Sequence, residues 1–213
     1  MGDPTGPATA PDAIASAKNS LRADIRSARA RRSEADRLRD AEALAQRALQ
    51  RYGTAAVVAA YASYGTEPGT KQLRASFRST GVLVLLPVVR RDQLAWVVDD
   101  GADLQRGGER GMPEPAGASL GTGAGALIAA HCTVLLLPAL AAGLDGVRLG
   151  QGGGFYDRLL TELAAYPRGP LRVAVVHDDE LRPAGAVPAE PHDLEALVDE
   201  VLTPSTSAAA HQA

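Results

Sequence analysis

Apolar residues recur along this chain in two spacings. Residues 34–51 place Leu38, Ala41, Leu44, Ala45, Ala48 and Leu49 three and four apart, which predicts an amphipathic helix. Residues 14–30 share that Ala/Arg/Leu-rich composition and predict a helix before it, with Ser33 and Asp36 as a capping pair between the two. The spacing then changes to short apolar runs. Residues 55–61, 82–89, 94–98, 134–138 and 171–176 read as buried strands, and residues 198–201 as a short last one. A helix is expected over 70–79. Another starts near Gly154, where Leu159, Leu160, Leu163 and Ala164 return to helical spacing. Residues 99–126 are rich in Gly and Pro and predict a long irregular excursion, of a length usually tied to function or mobility. Strands alternating with helices predict a three-layer α/β/α domain over residues 13–203, with a mostly parallel or mixed sheet. The small, polar segments 1–12 and 204–213 are expected to be disordered tails. In such sheets ligands bind beyond the C-terminal ends of the strands. The loop carrying Glu67, the glycine-rich loop at 150–154 and the segment His177-Asp178-Asp179 all begin there.

Composition narrows the function. A length of 213 residues suffices for one sizeable α/β domain. The net charge of −3 gives no global attraction to nucleic acid, so any anion site must be local. Of the 22 basic residues only Lys18 and Lys71 are lysines, which suits a GC-rich coding sequence and makes a retained lysine stand out. The single cysteine, Cys132, excludes an internal disulfide and a cysteine-based zinc site. His131, His177, His192 and His211 show no metal-ligand spacing. No apolar run reaches about 18 residues, so no membrane span is expected. Residues 1–10 lack the apolar core of a signal peptide, which makes the cytoplasm the expected compartment. The Ala/Arg surface of the helices predicts no interface, and a monomer is expected.

The chemistry concentrates at Arg148-Leu149-Gly150-Gln151-Gly152-Gly153-Gly154-Phe155-Tyr156-Asp157-Arg158. Four glycines in five residues allow positive φ and bring bare N–H groups against a ligand. Strand, glycine-rich loop and helix N-terminus together make an anion nest. A tight structural turn is the competing reading, but such a turn needs neither two guanidiniums nor a carboxylate beside it. No Gly-Lys-Ser/Thr closes the loop, so it is not a P-loop. The glycine spacing also departs from the dinucleotide fingerprint.

These residues resemble the signature of the 5-formyltetrahydrofolate cyclo-ligase (methenyltetrahydrofolate synthetase) family, R-L-G-x-G-x-G-[YF]-Y-D, which residues 148–157 match without a gap. Three weaker motifs occur in the family's order: Lys18-Asn19-Ser20-Leu21-Arg22, Gly111-Met112-Pro113-Glu114-Pro115 and Pro188-Ala189-Glu190-Pro191-His192-Asp193. The resemblance implies a fold like that of sugar-phosphate isomerases and CoA-transferases. It implies the conversion of ATP and 5-formyltetrahydrofolate to 5,10-methenyltetrahydrofolate, ADP and phosphate, with Mg²⁺ and through a phosphorylated formyl group. It further implies that Lys18, Arg22, Arg148, the amides of Gly150, Gln151, Gly152, Gly153 and Gly154, Phe155 and Tyr156 hold ATP. Asp157 and Asp193 would bind the metal. Tyr61, Ala62, Glu67 and Met112 would line the folate pocket, with Arg148 and Glu67 the residues closest to the chemistry. Departures from the family pattern are Ala142-Gly143 where an aspartate is common, with Asp145 two residues later as a possible substitute, and also Gln151, Arg110 and Glu180. Two alternatives stay open: a related enzyme acting on another phosphorylated small molecule, and a non-catalytic homologue that binds a nucleotide or folate.

Overall fold

Each apolar run sends alternate side chains to opposite faces of a sheet, so a run with no polar member needs cover on both faces. The structure, a computed structural model, describes residues 10–91, 93–105, 111–121 and 123–210. Helices α1 (Ala10–Ala30) and α2 (Glu34–Tyr52) lead into β1 (Val57–Ala59), α3 (Lys71–Ser79), β2 (Leu83–Arg90) and β3 (Gln93–Val98). Next come α4 (Ala124–His131), β4 (Val134–Pro138), β5 (Ala141–Gly143), β6 (Arg148–Leu149), α5 (Phe155–Ala164) and β7 (Leu171–Val175). The short strands β8 (Leu181–Arg182), β9 (Glu200–Leu202) and β10 (Ser207–Ala209) complete the order. Seven strands form the main sheet in the order β10-β9-β7-β4-β1-β2-β3. Its interior pairs are parallel, and β3 and β10 join the edges antiparallel. A small second sheet has the order β6-β5-β8.

The alternation is visible in the packing. Val58, Leu136, Val173 and Val175 pack on Leu44, Ala48 and Tyr52 of α2 and Leu73 and Phe77 of α3. Their neighbours Ala59, Leu135, Leu137 and Ala174 pack on the other face, with Ile128 of α4 and Leu159, Leu160 and Leu163 of α5. Helix α1 belongs to neither layer. Its Ile25 packs with Leu140, Ala141, Val147 and Leu149 beside the small sheet. Ser33 caps α2 by accepting from the Asp36 N–H at 3.1 Å.

Some expectations change. Residues 1–9 lie outside the described residues, but α1 already begins at Ala10, inside the segment expected to be a tail. At the other end, residues 204–210 are no tail: β10 pairs with β9 through Ser207–Leu202, Ala208–Val201 and Ala209–Glu200. Asp178 organises the turn before it, accepting from Ser205 N at 3.0 Å, from Ser205 Oγ at 2.7 Å and from the Thr203 hydroxyl. The excursion ends in helix at Ala124 and carries a bridge between Gln105 and Glu114. Among the described residues no helix is long and apolar enough to cross a membrane.

Candidate active site

Two residues after β1 ends comes buried Tyr61, and the chain turns through residues 62–70 before α3 begins. Thr70, fully buried, closes the base of that turn. Its hydroxyl donates to Tyr61 O at 2.7 Å and accepts from Ser63 N at 3.0 Å, while its own N–H donates to Ser63 Oγ at 3.0 Å. Within the turn Glu67 Oε2 accepts the Tyr64 N–H at 2.9 Å. The Tyr61 hydroxyl donates to Pro68 O at 3.1 Å. Burial pushes the Glu67 carboxyl above its ordinary pKa, against the smaller opposing effects of the Tyr64 N–H and the Arg29 charge. Burial likewise holds the Tyr61 and Tyr156 phenols well up, so both are neutral donors.

The glycine-rich loop joins β6 to α5. Gly152 (φ +100°) and Gly154 (φ +68°) are left-handed, a conformation that a Cβ would strain. With Gly154 as N-cap, no cap side chain takes up the first-turn N–H groups of α5. The Arg148 side chain, only 3% exposed, pairs with Asp157 and donates to Pro138 O at 3.3 Å, yet its Nε is buried without a partner. A buried guanidinium N–H with no acceptor, beside the N-terminus of a helix, suits the oxygens of a phosphate chain.

One cavity of about 550 Å³ brings these parts together. Tyr61, Ala62, Glu67 and Met112 line it, with Arg148, all five loop residues 150–154, Phe155, Tyr156 and Asp157. Lys18, Arg22 and Asp193 stand outside its wall. Lys18 Nζ lies 2.6 Å from both Glu190 Oε2 and Asp193 Oδ2. Burial works against its ammonium form, but the hydrogen bonds it donates to Asp193 and Glu190 outweigh it and raise the pKa. Arg22 Nε donates to Gly150 O at 3.0 Å, so this arginine touches the loop's backbone. The two aspartates expected at a metal are each held by a cation, Asp157 by Arg148 and Asp193 by Lys18. Ligand atoms of Glu190, His192 and Asp193 lie within 4.8 Å of one another, and the carboxylate oxygens among them suit a hard cation.

Other predicted features find different roles. Asp145 is absent from the cavity wall. Its carboxylate accepts Val147 N at 3.3 Å and Gly185 N at 2.6 Å, and it fills the space a side chain at Gly143 would need. Arg110 lies outside the described residues. Gln151 is gripped by Arg26, whose Nη2 and Nε lie 2.9 and 3.2 Å from Gln151 Oε1. Glu180 forms a buried pair with Arg29 at 2.7 and 2.8 Å. The sequence reading missed Arg26, Tyr64 and Glu114 as cavity residues. Arg26 alone carried a signal, being four residues beyond Arg22 and eight beyond Lys18 on one helix.

Fold and cavity define an α/β protein that receives a small molecule under a glycine-rich loop, at the C-terminal edge of its sheet. Comparison with known proteins makes this specific. The model of the 5-formyltetrahydrofolate cyclo-ligase family matches residues 14–204. A 5-formyltetrahydrofolate cyclo-ligase of Mycolicibacterium smegmatis is 40% identical over 153 residues, covering 69% of this chain and 73% of that protein. A mitochondrial 5-formyltetrahydrofolate cyclo-ligase of Arabidopsis thaliana is 38% identical over 77 residues, covering 34% and 27%. Among solved structures, the 5,10-methenyltetrahydrofolate synthetase of Aquifex aeolicus superposes with a TM-score of 0.72 at 22% identity, covering 92% of this chain and 94% of that one. That of Mycoplasma pneumoniae gives 0.63 at 17% identity, covering 88% and 98%. These two likenesses carry the fold. The chain belongs to the 5-formyltetrahydrofolate cyclo-ligase family. It is an enzyme of folate one-carbon metabolism that converts 5-formyltetrahydrofolate to 5,10-methenyltetrahydrofolate.

Proposed function

We propose that the cavity under the glycine-rich loop performs this cyclisation with ATP and Mg²⁺, by phosphorylating the formyl oxygen. The observation that carries the proposal is a single cavity lined both by the loop with Arg148 and by Tyr61, Ala62, Glu67 and Met112. Phosphate and pterin ends of two reactants can therefore meet inside it. The formyl oxygen is a poor leaving group, and bound MgATP would supply the phosphoryl group that makes it a good one. Substrate N10 then attacks the formyl carbon, the carbon–oxygen bond breaks, phosphate departs and N10 gives up its proton. No protein nucleophile is needed.

The chain's residues position and compensate charge. The loop amides and the first-turn N–H groups of α5 hold the phosphate chain. Arg148, already buried and short of one acceptor, faces the charge that builds on the transferring group. Asp157 and Asp193 would hold Mg²⁺ through their carboxylate oxygens, and Lys18 and Arg148, which pair with them in this structure, would supply positive charge for phosphate oxygens. Glu67, on the cavity lining, orients the folate and takes up the N10 proton, a role that a raised pKa favours. Tyr61 and Met112 wall the ring system.

The test mixes the protein with 5-formyltetrahydrofolate and MgATP, following near-ultraviolet absorbance and ADP release together. A methenyltetrahydrofolate band matched one-to-one by ADP is the expected outcome. ADP without the band points to another acceptor, and neither signal from a folded, nucleotide-binding protein points to a binding module. Asp157→Asn is expected to lose at least about a hundredfold in Mg²⁺-dependent turnover while keeping its circular dichroism spectrum. Near-normal turnover would remove Asp157 from the metal site.

A further inference from the structure

Two consecutive carbonyls of the glycine-rich loop are held by arginines of α1. Arg22 Nε donates to Gly150 O at 3.0 Å and Arg26 Nη2 donates to Gln151 O at 3.2 Å. A trans peptide is planar and its C=O and N–H point in opposite directions. Fixing those two carbonyls toward α1 therefore turns the N–H groups of Gln151 and Gly152 to the far side of the loop. Two successive N–H groups on one side make the concave unit that binds anions. Gly152 (φ +100°) has nothing within 4 Å of where a Cβ would sit, so its backbone is open to a ligand.

Arg26 grips Gln151 a second time. Its Nη2 and Nε donate to the side-chain oxygen at 2.9 and 3.2 Å, so one planar guanidinium holds both the side chain and the carbonyl of one loop residue. A lysine cannot reproduce that fork. We infer that Arg26 is a positioning residue for nucleotide binding: with Arg22 it clamps the loop from the carbonyl side and sets its amides before any anion arrives. This rests on the reading that the loop holds the phosphates of ATP. Loop orientation then costs the ligand little on binding, because a helix on the opposite side has already fixed it.

The experiment uses the full chain and two readouts. Nitrogen-15 relaxation of the ligand-free protein reports the order of the Gly152 amide. Calorimetry measures ADP and 5-formyltetrahydrofolate separately. Arg26 is exposed, and Arg26→Ala is expected to fold normally. In that variant the Gly152 order parameter falls from about 0.85 to below about 0.6. ADP affinity falls about five- to tenfold, and folate affinity stays within about twofold. In turnover the KM for ATP rises while kcat stays within about twofold. Arg26→Lys recovers part of both effects, and adding Gln151→Ala to Arg26→Ala changes nothing more. Unchanged amide order and ADP affinity in Arg26→Ala would overturn the inference, as would an equal loss for ADP and folate. If the unaltered protein binds no ADP, the nucleotide reading fails, and the relaxation comparison still decides whether Arg26 clamps the loop.

Discussion

Glu67 is a half-buried carboxylate on the cavity wall, with Tyr64 N–H as hydrogen-bond donor. Burial raises its pKa in the folded chain above the unfolded value of 4.5. Its contribution to stability is thus full below that value and is lost as pH rises through the folded pKa. Glu67→Gln is therefore expected to melt higher than the unaltered protein near pH 7, with the difference shrinking toward zero below about pH 4. Melting curves across that range check the sign, and a variant that melts lower at pH 7 refutes it. Legibility differed among the residues of this site. The loop and Arg148 are contiguous in the chain and were readable as one motif. Arg26 was passed over, because its spacing from Lys18 and Arg22 is diluted by the other arginines of α1 and its partner lies 125 residues away. Tyr64 and Glu114 come to the cavity only through the packing of two loops.

At the scale of elements, long apolar runs were readable because one physical fact decides them: β1, β2, β4 and β7 are buried on both faces. Short or featureless elements were not. Helix α4, Ala-Gly-Ala-Leu-Ile-Ala-Ala-His, has no polar stripe and follows a glycine-rich segment, so its spacing could not mark it. Strand β6 has two residues, and β5 only small ones. Strand β10 is Ser-Ala-Ala, and the turn that leads it back onto β9 is fixed by Asp178, 29 residues before its first member. Burial pushes the Asp178 carboxyl up, but hydrogen bonds from Thr203 and Ser205 outweigh it and leave its pKa lowered. Ending the chain at Pro204 removes the β10 pairing and two of those donors. Such a chain is expected to lose at least about 4 kcal/mol of stability, at about 1 kcal/mol per hydrogen bond, since the Thr206 carbonyl and the Ala210 N–H also go. Denaturant midpoints at constant m would measure it, and an unchanged midpoint would return residues 205–210 to the status of a tail.

Across the whole molecule, α1 is the piece that the layered core does not explain. Its hold is partly apolar, through Ile25, and partly ionic. Arg29, 1% exposed, meets Glu180 at 2.7 Å and donates to Ala139 O at 2.6 Å, which ties the helix to both the β7–β8 and the β4–β5 connections. Glu180 also accepts His177 N at 2.8 Å. Glu180→Ala leaves a buried guanidinium uncompensated, at a cost of about 3–5 kcal/mol. In a chain of this size that lowers Tm by about 6–20 °C, and a drop under about 3 °C would show the pair to be dispensable. The long-range partners of Lys18, Arg22, Arg26 and Arg29 lie between 110 and 175 residues further along the chain. During synthesis, then, α1 emerges well before any of these partners. A nascent polypeptide that has emerged only as far as β7 holds every strand of the parallel core except β9, but neither Glu180, Glu190 nor Asp193. The ribosome must therefore deliver the segment after β7 before the ionic hold on α1 is complete, because Lys18 and Arg29 find their carboxylate partners only there.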